Sequence, residues 1–267
     1  MPELTEHRKD QIEMHREVAE MYRRRAGYPF ADAFQQERND VLLSLAPPGG
    51  EQRALDLGCG TGIMLNHLSR RFSRVTGMDI SMEMLTGYDA AGAAESATIT
   101  MTRGDMTALP FRDASVDVIL CRSALHHMDD EVAVLAEACR VLSDTGRLVV
   151  GEPANDNPLF KLARWWVKRR PSFGKIHTID RAYTRAQLRD MFERAGLEVD
   201  REVRFGFIAY AVCDNPDLVP VLKWLPAGLA SGVGAALRAV DRLCSRLPLI
   251  RSLSWYTMLS VRRKPVA

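Results

Sequence analysis

The hydrophobic positions of this chain follow two periods, and the switches between them outline the predicted elements. Short apolar runs bounded by polar residues are typical of buried strands, and apolar residues at helical spacing indicate helices. These patterns predict strands at 53–57, 74–79, 97–102, 116–121 and 147–153, with helices at 62–71, 81–92 and 129–142. Strands and helices that alternate in this way predict a parallel sheet with helices on both faces.

The two ends of the chain add elements of both kinds. Helices are predicted at 5–25, 30–46 and 184–197, and strands at 198–205 and 255–263. Thr184 is a candidate N-cap and Gly196 a candidate C-terminal stop of the helix between them. The final strand alternates in hydrophobicity, so we expect an edge or antiparallel strand.

Two segments, at about 154–182 and 206–252, interrupt the alternation and are interpreted as insertions. Both follow the carboxyl ends of strands, where open α/β sheets bind ligands, so we expect them to cover that edge. The second contains the most apolar window, 218–237, which also carries a lysine and two prolines. An amphipathic segment that packs on the domain is therefore favoured over a transmembrane span.

An apolar stripe at helical spacing continues beyond this window. It consists of Leu229, Val233, Leu237, Val240, Leu243 and Leu247, and the polar side carries Arg238, Asp241 and Arg242. We predict that the apolar side packs on the domain and that the polar side faces solvent. Gly228 and Gly232 are interpreted as residues that allow close helix packing, rather than as a membrane dimerisation motif.

Three glycines follow the first predicted strand at a spacing of two, in the stretch DLGCGTG. This spacing fails the dinucleotide fingerprint G-x-G-x-x-G, and the P-loop pattern fails because no lysine with Ser or Thr follows. Asp56 precedes the first glycine by two residues, where a carboxylate would repel a pyrophosphate. The stretch therefore favours a ligand that carries an ammonium or sulfonium charge.

Composition excludes some classes of protein. The 267 residues are 46% hydrophobic and carry a net charge of +2, which is not the signature of a polyanion binder. Five scattered cysteines without a C-x-x-C pair argue against a disulfide framework or a zinc site and favour a reducing, cytoplasmic setting. The charged N-terminal stretch does not look like a secretory signal.

The stretch LDLGCGTG resembles the first motif of the class I S-adenosylmethionine-dependent methyltransferases, in their type 11/25 small-molecule branch. Four later blocks follow in that family's order, namely VTGMDIS, RGDMTALPF, VDVILCRSALHHMDD and EACRVLSDTGRLVVGEP. The resemblance is close over residues 50–152 and looser beyond them. The sequence departs from the family at Thr145-Gly146, where a Gly-Gly turn is usual, and at Arg122, where a small polar residue is common.

The resemblance implies which residues bind the cofactor S-adenosylmethionine, whose product is S-adenosylhomocysteine. Asp79 is expected to take the ribose hydroxyls and Asp105 the adenine amino group, with Ile80 and Met106 beside the adenine. The expected cofactor-binding set is Asp56, Gly58, Cys59, Gly60, Gly62, Asp79, Ile80, Asp105, Met106 and Arg122. The block CRSA at 121–124 argues against enzymes that methylate amino groups of bases or glutamine, and against aminopropyl transferases.

The fold implied is α/β, a three-layer sandwich with a seven-stranded, mostly parallel Rossmann-like sheet and a helical cap. We divide the chain into N-terminal helices that close over the cofactor (1–48), the cofactor-binding core (49–153), a lid insertion (154–183), a core helix and strand (184–205), a helical cap (206–253) and a final strand with its tail (254–267).

Methyl transfer from a sulfonium is an in-line displacement that positioning and desolvation can drive, and a base is needed only when the acceptor must lose a proton. His126 and His127 lie just after the fourth strand and are the candidate bases, although both can equally shape the loop. The sequence indicates no preference between them. A metal site at HHMDD is not expected, because adjacent histidines do not easily face one ion.

The insertions bear on the acceptor. Tyr28, Trp165 and His177 are candidate substrate contacts. The basic and aromatic stretch of the first insertion has three interpretations: a lid helix with a solvated basic face, contact with an anionic membrane surface, or a site for an acidic substrate. Nucleic acid is not expected, because no RNA-binding module is present.

Together these features predict transfer of a methyl group to a small, hydrophobic acceptor, with oxygen favoured over carbon or nitrogen. Two alternatives stay open, a membrane-associated enzyme that methylates a lipid or quinone and a non-catalytic protein that only binds the cofactor. The sequence indicates neither the acceptor nor the oligomeric state.

Overall fold

A seven-stranded sheet forms the centre of the computed structural model, which describes residues 28–168, 182–214 and 224–265. The strands are β1 (Gly50–Leu57), β2 (Phe72–Asp79), β3 (Thr98–Arg103), β4 (Val116–Arg122), β5 (Leu142–Pro153), β6 (Leu197–Phe205) and β7 (Tyr256–Arg263). Their order across the sheet is β3-β2-β1-β4-β5-β7-β6. Strands β1 to β5 are parallel, and β7 is antiparallel to both of its neighbours. The predicted fold class is confirmed.

The last strand is antiparallel, as predicted, but it is not an edge strand. β7 lies between β5 and β6, and its first six residues are all buried. Met258 packs on one side of the sheet and Leu259 and Val261 on the other. Because both faces of β7 are covered by helices, the strand carries apolar residues on both faces and completes the sheet core.

The helices are α1 (Pro29–Leu43), α2 (Ile63–Ser69), α3 (Met82–Leu85), α4 (Glu131–Val141), α5 (Pro158–Lys168), α6 (Arg185–Arg194), α7 (Ala227–Cys244) and α8 (Pro248–Arg251). A 3₁₀ turn at Leu125–His127 and a π-helical turn at Tyr210–Asp214 follow strands β4 and β6. The helix predicted at 5–25 lies outside the described residues.

Alternating side chains of each strand build two separate cores, one on each face of the sheet. In β1, Ala54 packs with α1, α2 and α7, whereas Leu55 and Leu57 pack with α4 and α6. In β4, Leu120 and Ile119 divide between the two cores in the same way. This period of two gives the three-layer architecture.

Helix α6 begins and ends where its sequence predicts. Thr184 accepts a hydrogen bond from the backbone N–H of Gln187, and the Gln187 side chain accepts one from the backbone N–H of Thr184. This capping box satisfies two backbone donors at the helix start. Gly196, with a φ of 77°, lets the chain leave the helix in the left-handed region.

The helix predicted at 81–92 is much shorter, since α3 ends at Leu85. Ser81 caps its start, and the chain turns after Gly87, so that Tyr88 lies over α2. The Tyr88 hydroxyl donates a hydrogen bond to Asn66 at 2.8 Å. This tertiary contact ends the helix where local propensity alone would continue it.

The predicted orientation of the apolar stripe on α7 is wrong for four of its six residues, whereas Val233 and Leu237 pack against the core as expected. Ala230, Gly234 and Asp241 form the buried side of the helix, while Leu229 and Leu243 are 56% and 61% exposed. Gly234 approaches Phe30 of α1 closely, as a Cβ there would lie 2.8 Å from the Cβ of Phe30. By contrast, Gly228 and Gly232 face open space, so the packing role inferred for them is also wrong.

Asp241 gives the physical reason for this orientation. Its carboxylate accepts hydrogen bonds from three consecutive backbone N–H groups, those of Phe207, Ile208 and Ala209, at 2.7 to 3.1 Å. Buried N–H groups without an acceptor are destabilising, so a single carboxylate that satisfies three of them outweighs the burial of an apolar stripe. The polar side of α7 therefore faces the domain.

Residues 227–237 of the apolar window lie within α7, which begins at Ala227. None of the helices in the described parts of the chain combines the length and the hydropathy that crossing a bilayer requires. Residues 218–223 of this window lie outside the described residues.

Candidate active site

A cavity of about 600 Å³ opens at the carboxyl ends of β1, β2 and β4, within the size range of small-ligand pockets, about 300–1,000 Å³. The strand order reverses between β1 and β4, and such a switch point leaves a crevice between neighbouring loops. α1 and the π-helical turn close the cavity from the opposite side. A cavity therefore lies at the carboxyl edge of the sheet, where the sequence predicted ligand binding.

The glycine turn after β1 lies on the floor of the cavity. Gly58 and Gly60 have φ values of 68° and 54°, a region that side-chain-bearing residues seldom adopt. At Gly58 an added Cβ would lie 2.6 Å from the Cβ of Ala124, whereas at Gly60 it would meet nothing within 4 Å. Gly58 is therefore needed for packing, and Gly60 leaves backbone open toward the cavity.

Asp79 fixes the turn from the end of β2. One carboxylate oxygen accepts the backbone N–H of Gly60 and the other that of Ser81, both at 2.9 Å. The backbone N–H groups of Gly58 and Cys59 are taken by the carbonyl of Met78. The acid thus orients the glycine turn while its carboxylate lines the cavity.

Asp56 presents a buried negative charge to the cavity. Its carboxylate is 2% exposed, and the oxygen Oδ2 has no hydrogen-bond partner. The pKa of Asp56 is raised to about 7, mainly by burial, with a lowering contribution from the nearby Arg122 and a raising one from the Asp79 carboxylate. A buried carboxylate oxygen without a donor fits a ligand that brings a cationic amine or sulfonium.

The third acid stands at the end of β3. Asp105 accepts hydrogen bonds from the backbone N–H and the hydroxyl of Thr107, at 2.9 and 2.8 Å. It lines the cavity with Met106, which is 8% exposed, and with Ile80 at the end of β2. A carboxylate flanked by two apolar side chains suits a flat heterocycle with an exocyclic amine.

The opposite wall of the cavity is formed by polar side chains of α1 that the sequence did not indicate. Arg38 forms an ion pair with Asp214 at 2.9 Å, and Gln35 hydrogen-bonds to the same carboxylate. Arg122 of β4 donates hydrogen bonds to Asn39 at 3.0 Å and to Gln35 at 3.3 Å. Only their shared face on the predicted helix, at spacings of three and four, could have suggested a site.

Burial and the neighbouring Arg38 lower the pKa of Arg122, although a guanidinium stays charged in proteins. Two arginines thus lie on one side of the cavity, and the carboxylate of Asp214 is paired directly with one of them. This side of the cavity is suited to an anionic group.

His126 is held rigidly at the cavity wall. Its ring nitrogen Nδ1 lies 2.6 Å from the carboxylate of Glu152, which is completely buried and also accepts the backbone N–H of Leu125. A carboxylate only accepts, so Nδ1 carries the proton. The other nitrogen, Nε2, is buried and has no hydrogen-bond partner. His126 lines the cavity, so its unpartnered nitrogen is the candidate proton acceptor of the site.

His127 stacks on His126 with ring centroids 4.1 Å apart and also lines the cavity. The loop that holds both rings is strained at Ser123, whose φ of 53° lies in the left-handed region. The hydroxyl of Tyr256 lies 2.7 Å from the Ser123 hydroxyl and donates to the carbonyl of Gly151. This buried tyrosine, which the sequence did not indicate, fixes the loop against β5.

The thiols beside the cavity are unreactive. Burial, together with the carboxylates of Asp56 and Asp79, raises the pKa of Cys59, and burial raises that of Cys121. Both side chains are therefore neutral thiols at physiological pH, and neither is activated as a nucleophile.

Most of the predicted site residues meet at this cavity. It is lined by Asp56, Gly58, Cys59, Gly60, Asp79, Ile80, Asp105, Met106, Arg122, His126 and His127. Three other described residues lie outside the lining: Gly62 packs on Tyr88, Tyr28 on Phe30, and Trp165 is on α5. His177 lies outside the described residues, so its role stays a prediction.

Comparison with known proteins agrees with this geometry. A family model described as a methyltransferase domain matches residues 55–150. The demethylmenaquinone methyltransferase of Shouchella clausii is 30% identical over 180 residues, covering 60% of this chain and 76% of the relative. The malonyl-[acyl-carrier protein] O-methyltransferase of Hahella chejuensis is 34% identical over 143 residues, 53% of this chain. The chain spans 50% of the length of that relative.

A solved structure shares the fold. The magnesium protoporphyrin IX methyltransferase of Synechocystis PCC 6803, solved with bound S-adenosylhomocysteine, superposes with a TM-score of 0.58. The match covers 91% of this chain and 93% of that chain at 16% identity. From the glycine turn, its flanking acids and these relatives we conclude that the chain belongs to the class I S-adenosylmethionine-dependent methyltransferases and that its cofactor is S-adenosylmethionine.

Proposed function

We propose that this protein transfers a methyl group to a hydroxyl oxygen of a small organic acceptor, with His126 as the general base. One observation carries the proposal. The Nε2 atom of His126 is buried at the cavity wall without a partner, while Nδ1 is held by the buried Glu152. A histidine held in one tautomer with a lone pair at a cavity is suited to accept a proton.

S-adenosylmethionine, when bound, supplies an electrophilic methyl group on a sulfonium. Asp79 and Asp105 would hold its ribose and adenine portions, with Ile80 and Met106 against the ring, as the family resemblance implies. The unpartnered oxygen of Asp56 fits the cationic part. These assignments agree with three carboxylates on one side of the cavity.

Arg122 and Arg38 complete the cofactor-binding residues in this proposal. Arg122, at the end of β4, lies near Asp56 and bonds to Asn39 of α1, and Arg38 of the same helix is paired with Asp214. A carboxylate is the anionic group that an amino-acid moiety offers, and guanidinium groups bind carboxylates in bidentate geometry. We therefore assign this pair to the carboxylate end of the cofactor.

No residue of the chain needs to act as a nucleophile. The neutral thiols of Cys59 and Cys121 agree with a direct in-line displacement. The contributions left to the protein are orientation of the two reactants, exclusion of water and removal of one proton. Orientation can lower a barrier by about 7–11 kcal/mol, whereas a positioned base contributes about 10²–10⁴-fold.

The acceptor side of the cavity has a mixed character. Met128, Pro153, Tyr210 and Cys213 supply apolar surface, next to the polar side chains of α1. This lining favours an acceptor with an apolar frame and an ionisable hydroxyl, in keeping with the small, hydrophobic acceptor expected from the sequence.

The test is methyl transfer from labelled S-adenosylmethionine to a panel of hydroxyl-bearing apolar acceptors. His126→Gln should lower kcat by about 10²–10⁴-fold and leave cofactor binding unchanged. Glu152→Gln should lower kcat less and alter its pH profile, since it changes the tautomer of His126. His127→Gln, the matched neighbour, should have the smallest effect.

Two results would overturn the proposal. One is full turnover by His126→Gln on an acceptor that the wild-type protein methylates. The other is tight cofactor binding by the wild-type protein with no transfer to any acceptor of the panel, which would favour a non-catalytic binding protein.

A further inference from the structure

The outer face of α7 and α8 bears an apolar surface that the fold leaves exposed. We define this cap face by Trp224, Leu229, Val240, Leu243, Leu247 and Leu249, which are 44–87% exposed. On α7, with 3.6 residues per turn, Leu229, Val240 and Leu243 fall within an arc of about 60°. Leu247 lies between α7 and α8, at the start of α8. An exposed apolar surface of this kind is unusual and marks an interaction site.

The orientation of α7 shows that the exposure is built into the fold. Asp241 holds the polar side inward through three backbone N–H groups, and Arg238 forms an ion pair with Glu37 of α1 at 3.2 Å. Rotating the helix to bury its leucines would break these contacts. The apolar side is therefore fixed outward.

The charges around the cap face are positive. The helices α7 and α8 contain Arg238, Arg242 and Arg251, and their one acidic residue is the buried Asp241. Glu37 of α1 forms ion pairs with Arg238 and Arg242. Arg246 and Arg251, next to the leucines, are exposed, and no acid of the described residues pairs with them. The margin of the apolar face thus carries unneutralised positive charge.

We infer that the cap face docks on an anionic lipid bilayer. A helix that places leucines on one side and arginines beside them lies in the membrane interface, with its apolar side among the acyl chains and its cations at anionic headgroups. A second copy of this chain fits less well, because a symmetric contact would bring the same arginines together.

Docking in this way has a consequence for the cavity. α7 packs on α1 through Gly234 and Phe30, while Arg38 and Asn39 of α1 line the cavity. Helix α1 therefore lies between α7, which would contact the bilayer, and the cavity. An apolar acceptor dissolved in the membrane would be concentrated beside the enzyme that modifies it.

The test is co-sedimentation of the full chain with phosphatidylcholine vesicles, with or without phosphatidylglycerol. The protein should sediment with the anionic vesicles, and salt should weaken this binding. The double variant Leu243→Glu, Leu247→Glu should lower the partition coefficient by at least about tenfold. Arg246→Gln with Arg251→Gln should reduce binding to anionic vesicles only.

Matched controls lie far from the cap face. Ala91→Glu adds the same acid at an exposed position, and Arg112→Gln removes an exposed cation near the amino end of β4, so both should bind as the wild type does. Cofactor binding by all variants, measured by calorimetry, verifies that they are folded. The vesicle assay needs no turnover, so its outcome is independent of the proposed reaction.

Several results would overturn the inference. The protein would remain in the supernatant with every vesicle, or the leucine variant would sediment as well as the wild type. A dimer in light scattering that Leu243→Glu dissolves would assign the face to a second copy. Cross-linking from a photoreactive residue at position 243 to residues 1–27 of the same chain would assign it to that segment.

Discussion

The two walls of the cavity are built in different ways. The cofactor wall consists of Asp56, Gly60, Asp79 and Asp105. Asp79 and Asp105 each accept a backbone N–H two residues further on, and the bond from Gly60 to Asp79 spans 19 residues. The cap wall consists of Gln35, Arg38, Asn39 and Asp214, and its central ion pair joins residues 176 positions apart. The first wall is a local motif and the second is a product of tertiary packing.

The walls also differ in charge. Asp56, Asp79 and Asp105 line the cofactor wall, whereas the cap wall carries Arg38 paired with Asp214 and bonds to Arg122 of β4. An amino-acid derivative of adenosine has a cationic part and an anionic part, and these opposite walls can bind both at once. The difference indicates that cofactor recognition is shared between the motif and the cap.

The largest expected effect lies in the cap. Asp241→Ala removes the acceptor of three buried backbone N–H groups, so it should lower the free energy of unfolding by about 3 kcal/mol or more. Urea unfolding measures the change. Asp241→Asn keeps one acceptor oxygen and should lower the free energy of unfolding by a smaller amount. A loss below about 1 kcal/mol for the alanine variant would mean that the cap does not depend on this carboxylate.

The next effect concerns the cofactor wall. Gly60→Val introduces a branched side chain at a φ of 54°, facing the cavity, so affinity for S-adenosylmethionine should fall about 100-fold, or about 2.7 kcal/mol. The matched control is Gly228→Ala, at an exposed position in α7 with nothing within 4 Å of the new Cβ. It should leave binding unchanged. If calorimetry gave the two variants equal affinities for S-adenosylmethionine, Gly60 would not be part of the cofactor site.

A pH titration sharpens the role of Asp56. Its pKa is raised to about 7 in the cofactor-free protein, so below pH 7 the carboxyl group is protonated and binds a cation poorly. Affinity for S-adenosylmethionine should therefore fall as pH is lowered from 8 to 6, approaching a tenfold loss per pH unit. Asp56→Asn should bind weakly with a flatter profile. A wild-type affinity independent of pH in this range would contradict the assignment.

The smallest effect tests how the histidine loop is held. Tyr256→Phe removes the hydroxyl that bonds to Gly151 and Ser123, which should lower the free energy of unfolding by about 1 kcal/mol and reduce kcat through the loop. Arg53→Met breaks an exposed ion pair with Asp117 and should change stability by less than about 1 kcal/mol. A larger loss for the exposed pair than for the buried tyrosine would contradict this account.

The same division explains what the sequence could predict. The sheet and the capping box of Thr184 follow from periodicity and from contacts close in the chain, and the residues around the glycine turn follow from the motif resemblance. The inward face of α7 could not be predicted in this way, because the backbone donors that bond to Asp241 lie 32 to 34 residues away in the chain. An apolar stripe predicts burial only when no buried polar group competes for the same contact.

The choice between the two histidines shows the same limit. His126 and His127 are adjacent in sequence, and only the placement of Glu152, 26 residues further on, separates their roles. Arg38 and Tyr256 gave no local signal, because their partners are distant in the chain. Residues that hold other side chains in place through distant contacts are thus the ones that a single sequence does not predict.

Calorimetric titration of the intact protein with S-adenosylmethionine at pH 8 tests the central claim most directly. We predict binding at one site per chain, retained with S-adenosylhomocysteine and abolished in Asp79→Ala while circular dichroism shows that variant folded. Absence of heat with either adenosyl ligand, together with saturable binding of NADH or ATP, would contradict the assignment of the glycine turn and its acids.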